Sequence, residues 1–208
     1  MSVLLLTSCK SNEEKATELI KKELSKTLYD FDSYQPIETV VREAKETAYN
    51  DSACWNTAGT LTVGVERFID YLKDAKSTSA YVSIWGRPSH HSSSFSDQQY
   101  FKYKKEMDDA IAKANKAARI CNEIADTLSG MVKTLDTNKV IGWEVNHSFR
   151  CKTRGGRPEI AHFRFVMDKD FSRIIIIEDT ENKTYQGVHE IIEKILVGWD
   201  NLDTIDLN

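Results

Sequence analysis

A chain of 208 residues, 40% apolar and 29% charged, is long enough to enclose one real core, alone or with a helical insertion. Its formal net charge of −4 argues against a general nucleic-acid binder, which needs a basic face. The sequence holds no apolar run of about eighteen residues, so no segment of it reads as a membrane-spanning helix.

The chain begins Met1-Ser2-Val3-Leu4-Leu5-Leu6-Thr7-Ser8-Cys9 and then turns abruptly polar with Lys10-Ser11-Asn12-Glu13-Glu14. An apolar run that passes into small residues and stops at a cysteine reads as the end of a secretory signal. Leu6-Thr7-Ser8-Cys9 has the form of a bacterial lipobox. Small residues let extended backbone enter the peptidase, the Cys9 thiol takes the diacylglyceryl group, and cleavage leaves Cys9 as the new N-terminus. A complete signal has a basic n-region and an apolar h-region of about 7–15 residues. Here the first is missing and the second is short, so the reading expects a start codon upstream or a trimmed leader. A cytosolic protein with an apolar beginning is the competing reading.

Ser11 and Glu14 have capping-box spacing, and Ala16, Leu19, Ile20, Leu24 and Leu28 then recur at helical steps, predicting an amphipathic helix of about eighteen residues. Ser33–Val41 reads as a short strand, confined by Pro36 to a sheet edge or to its first residues. A helix over Pro36–Ala48 is the alternative. Leu61, Val65, Phe68, Ile69 and Leu72 predict a helix over 57–76, and the turn-rich Gly86–Ser94 reads as the tip of a helical hairpin. Ser96 with Gln99 restarts helix, and Met107, Ile111, Ala114, Ala118, Cys121, Ala125, Leu128, Val132 and Leu135 keep an unbroken 4-3-4-3 step. That heptad seam, with small residues in its middle, lets a partner helix approach closely. The preceding helix is the expected partner, with self-association as the second option.

The last third alternates. Val140–Thr153 sets Trp143, Val145, His147, Phe149 and Cys151 against Glu144, Asn146, Ser148, Arg150 and Lys152, a strand with one apolar face. Arg154-Gly155-Gly156-Arg157 is a turn. Ile160–Asp168 is a second strand, Arg173–Glu178 a third whose isoleucine run suggests a central position, and Val188–Val197 a closing helix. The expected fold is α+β: an N-terminal helix and short strand, a long antiparallel helical hairpin, a three-stranded antiparallel meander and a C-terminal helix, with helices on one sheet face. Residues 1–9 form a truncated lipoprotein signal, and 10–208 a single domain with the hairpin inserted at about 57–136.

Three blocks also carry a family resemblance: Leu6-Thr7-Ser8-Cys9, the segment Leu28–Ile37, and Ile141–Lys152 with the glycine turn and the Phe163/Phe165 strand after it. Together they resemble a group of small lipoproteins of bacteroidete-type bacteria. The match spans most of the chain apart from roughly residues 50–80. The resemblance implies an envelope location and this fold; it brings no mechanism and no site residues.

Chemistry is sparsely signalled. No GxSxG elbow accompanies the serines, and no phosphate-binding glycine motif occurs. Four cysteines, Cys9, Cys54, Cys121 and Cys151, contain no CxxC pair, which excludes a zinc ribbon or thioredoxin-type motif. With Cys9 lipidated, at most one disulfide can join the other three, whose plainer role is apolar packing. His147 alternates onto the apolar face and reads as a core histidine, and His162 and His189 read the same way. His90-His91 lacks the three or four donors a metal needs. No cofactor, metal or catalytic residue is therefore expected. The one binding candidate is a basic hairpin of Arg150, Lys152, Arg154, Arg157 and Arg164, of which Arg150, Lys152 and Arg164 alternate away from the core face. Such a patch suits phosphate or carboxylate groups of lipid, glycan or protein; an edge kept soluble by charge is the alternative.

The expectation is a non-enzymatic envelope lipoprotein, on the outer membrane in preference to the inner, with a protein or glycan partner and no nucleic acid. A periplasmic hydrolase or carbohydrate-active enzyme built on His147, Asp168 and Glu144 is one alternative. A homo-oligomeric module joined through residues 107–135 is the other.

Overall fold

A computed structural model describes residues 10–86 and 95–205. Cys9 and the His90-His91 pair lie outside the described residues. Within the described residues, the elements run α1 (Asn12–Thr27), a 3-10 turn (Phe31–Ser33), β1 (Gln35–Lys45), α2 (Ser52–Trp85), α3 (Phe95–Lys133), β2 (Val140–Lys152), β3 (Pro158–Asp168), β4 (Ile174–Asp179) and α4 (Lys183–Val197). Among the described residues the fold is mixed, with four helices and one antiparallel sheet of order β1-β2-β3-β4. The chain divides into two compact units, Met1–Trp55 with Thr134–His189, and Asn56–Lys133 with Glu190–Asn208.

The first unit holds the sheet and α1. Ser11 caps α1: its hydroxyl accepts from the Glu14 N–H at 3.2 Å, and Glu14 Oε2 accepts from the Ser11 N–H at 2.9 Å. Each side chain thereby satisfies an N–H that the helix leaves without a partner. Ala16, Ile20 and Leu24, one stripe of that helix, are buried with Val145, Phe149, Phe165 and Met167 of β2 and β3. The alternation of β2 places those residues on one face because successive side chains of a strand point to opposite sides.

The strand at the start is eleven residues long rather than short, and Pro36 sits near its beginning, on an edge, beside a register shift between Pro36 and Glu38. The missing proline N–H costs nothing there, since only β2 pairs with this strand. Two further expectations are corrected. The Ile174–Ile177 run does not mark a central strand: β4 is the opposite edge. Its apolar run reflects burial on two sides, since Ile174 and Ile177 pack on the α1 core while Ile176 faces the other way and is buried there. Helical cover is likewise not confined to one sheet face, because Arg164 and Glu178, which point away from α1, are buried beneath residues of the 49–55 segment and the first turns of α4.

One close approach fixes the pairing of β2 with β3. Gly142 opposes Asp168, and a Cβ at Gly142 would lie 1.9 Å from the Met167 carbonyl oxygen. Because the obstruction is backbone, Gly142→Ala is expected to cost at least about 3 kcal/mol in urea unfolding. Gly130→Ala, on an exposed stretch of α3 with open space around it, should stabilise by up to about 1 kcal/mol. Equal effects at the two sites would contradict this packing.

The second unit holds an antiparallel helical hairpin and the segment after α4. Contacts step down it in order: Trp85 with Phe95, Tyr81 with Tyr103, Ala75 with Ala110 and Ile111, Phe68 with Ala114 and Ala118, and Thr57 with Met131. The seam residues Ile111, Ala114, Ala118, Cys121, Ala125 and Leu128 are all buried. At Gly64 an added Cβ would come within 2.8 Å of Cys121 Sγ, so glycine against cysteine lets the two helices close on each other.

Candidate functional site

Three constellations stand out, two in the sheet unit and one on the hairpin. On the α1 face, His147 is 1% exposed. Its Nε2 lies 2.7 Å from the Tyr34 hydroxyl and its Nδ1 2.9 Å from Thr39 Oγ1, which in turn reaches Thr17 on α1 at 3.4 Å. Burial pushes the imidazole down to about 4, with Lys21 acting the same way and a backbone hydrogen bond at Glu38 opposing. Burial also pushes the Tyr34 phenol up to about 12. The ring is a neutral hydrogen-bonding piece of the core at ordinary pH.

On the opposite face, Arg164 is 8% exposed and Glu178 3%. The guanidinium donates through Nη1 to Glu178 at 3.0 Å, through Nε and Nη2 to Glu144 at 3.3 and 3.2 Å, and through Nη2 to the Tyr49 carbonyl and the Asn50 side chain. It also lies 5.9 Å from the Trp55 ring centroid. The other Glu178 oxygen meets His189 Nε2 at 2.7 Å, and His189 stacks on Tyr49. Burial alone would raise the Glu178 carboxyl, but the hydrogen bond and charge of His189 and the Arg164 guanidinium outweigh it and hold the carboxyl below its usual range. Planar, forked donors suit such multi-partner pairing, which lysine cannot reproduce.

Arg164 therefore does not join the other four cations of the expected basic patch. Arg150, Lys152, Arg154 and Arg157 are exposed on and beside the β2–β3 turn, with Arg154 over the ring of Tyr29 at 5.9 Å. Arg164 alternates away from the α1 core as expected, yet that side is covered too. His147, Glu144 and Asp168 do not converge. His147 and Glu144 occupy opposite sheet faces, and Asp168 binds the Ser172 and Arg173 N–H groups in the β3–β4 turn. Cys54, Cys121 and Cys151 are free thiols, all raised by burial; Asp51 adds to this at Cys54, which reaches about 12. Such thiols are poor nucleophiles.

The third constellation is apolar. The far end of the hairpin exposes Ile84 (72%), Phe95 (67%), Phe101 (55%) and Tyr81 (47%). Tyr81 stacks on Tyr103 at 4.8 Å, and Trp85 meets Phe95 edge to face at 5.7 Å. The periodicity marks the helix seam, and these residues lie beyond it, on the last turns of α2 and the first turns of α3. Rigid aromatic groups clustered in water characterise contact surfaces.

The fold and these surfaces define a mixed α/β chain with a sheet unit and a long helical hairpin that carries an aromatic end. Compared with known proteins, the chain matches no family model, no curated protein and no solved structure.

Proposed function

We propose that the protein is an interaction module of the cell envelope, anchored by acyl chains on Cys9 and engaging a protein partner through the aromatic end of its helical hairpin. The exposure of Ile84, Phe95, Phe101 and Tyr81 together carries this reading. Four large apolar side chains held in water on two long helices are costly for solubility unless another surface covers them. Aromatic groups lose little rotamer freedom on binding and so make efficient anchors. The Leu6-Thr7-Ser8-Cys9 sequence, followed at once by polar residues, supports the anchor. Paired acyl chains would hold the body at a bilayer surface, since a single chain binds only marginally.

A photo-crosslinking residue placed at Phe101, at Ile84, and, as a control, at Arg157 on the β2–β3 turn tests the reading in cells that make the protein. The first two positions should yield the same discrete adduct, absent at Arg157. Cys9→Ala should move the chain from the membrane fraction to the soluble one. An absence of adducts, or equal adducts at Arg157, counts against the docking surface; unchanged fractionation counts against the anchor.

A further inference from the structure

Beyond α4 the chain breaks at Gly198, whose φ of 131° only glycine adopts readily, and residues 199–205 continue without helix or strand. They are held by two asparagines of α3. Asn122 donates through Nδ2 to the Leu202 carbonyl at 3.1 Å and accepts the Leu202 N–H at 2.9 Å. Asn115 donates to the Ile205 carbonyl at 2.8 Å and accepts the Ile205 N–H at 2.7 Å. Each carboxamide thus pairs with both backbone groups of one residue, as a neighbouring strand would.

The spacing is matched. Seven residues of helix advance about 10 Å, and three residues of extended chain advance about 10 Å, so a heptad-spaced pair of asparagines meets every third residue of an extended peptide. Small residues beside them make the sockets. Leu202 packs against the Phe68, Ala114 and Ala118 cluster, and Ile205 against Ala75, Ala110 and Ile111.

Nothing in this recognition depends on the tail's being part of the same chain. Four hydrogen bonds read backbone and two sockets read aliphatic side chains, which is how sheet-like peptide recognition works. We propose that the Asn115–Asn122 stripe is a receptor for an extended peptide with aliphatic residues at n and n+3. The chain's own residues 199–205 occupy it in cis, and a segment of that chemistry from a different protein replaces them. The cis segment competes at the high effective concentration that tethering gives, so it sets a threshold for the incoming strand.

The test uses the full chain and a dye-labelled peptide of sequence Trp-Asp-Asn-Leu-Asp-Thr-Ile, read by fluorescence anisotropy. Leu202→Asp with Ile205→Asp, which expels the resident segment, should bind the peptide at least tenfold more tightly than wild type. Adding Asn115→Ala and Asn122→Ala should return binding to background, as should a peptide with its aliphatic residues at n and n+2. Binding no tighter than wild type, or indifferent to the asparagines, overturns the proposal. Should the double aspartate variant lose its helical circular dichroism, Ile205→Ala alone carries the same comparison, with the same outcomes deciding it. Light scattering that shows a wild-type dimer dispersed by free peptide would overturn the assignment to a different protein and give the site to a second copy.

Discussion

Arg164→Met is expected to lower the unfolding free energy by about 3–5 kcal/mol, the range seen when one partner of a buried ion pair is removed. The loss would not measure the strength of the pair. It would come chiefly from Glu178, left 3% exposed with only His189 to meet its charge, and from the Asn50 and Tyr49 oxygens that lose their donor. The double variant Arg164→Met/Glu178→Gln removes the stranded charge and should regain at least half of the deficit. Arg164→Lys should behave almost as badly as methionine, because one ammonium cannot reach Glu144, Glu178 and the Tyr49–Asn50 edge together. Urea titration of the four proteins decides this. A single variant within about 1 kcal/mol of wild type, or a double variant no better than the single, would show that the network is not what holds this face.

That network also marks where sequence patterning stops being informative. Alternation along β2 and β3 correctly separated Val145, His147 and Phe149 from Glu144, Asn146 and Arg150, because period two is a local property of the strand. It could not tell that the polar side is covered, since Asn50 and Trp55, which meet Arg164, lie far away in the chain. The isoleucine run of β4 was ambiguous for the same reason: a strand buried on two faces has that composition whether it is central or at an edge. The long α3 seam was plain because its apolar residues keep one heptad step from Met107 to Leu135. Its partner was undersized, at 57–76 against the observed Ser52–Trp85. The turns missed, residues 52–56 and 77–85, include Ser77, Thr78, Ser79, Val82 and Ser83, poor helix formers that packing on α3 overrides, as where Tyr81 stacks on Tyr103. Asn115 and Asn122 flank the seam and carry no signal of their own, since the tail they clamp has no periodicity to announce it. The aromatic end of the hairpin was similarly hidden, as exposure of an aromatic residue is not written in its spacing.

His147 should make the protein acid-sensitive in a defined window. Its folded-state value of about 4 lies below the ordinary 6.5, so the folded state binds fewer protons than the unfolded one between those values. The stabilisation is complete above pH 6.5, falls by about 1.4 kcal/mol per pH unit as pH drops toward 4, and is gone below that, roughly 3 kcal/mol in all. Glu178 acts in a lower window. Its carboxyl is held below 4.5, so its contribution persists above that value and is lost only as pH falls through the depressed one. Subtracting the pH–stability curve of His147→Gln from that of wild type isolates the imidazole. The glutamine keeps a donor and an acceptor for Tyr34 and Thr39 without titrating. The difference should slope between pH 6.5 and 4 and be flat above 6.5. A flat difference across the whole range would mean that the imidazole accepts a proton within the fold at its ordinary pH, which the Tyr34–His147–Thr39 arrangement sealed under α1 forbids.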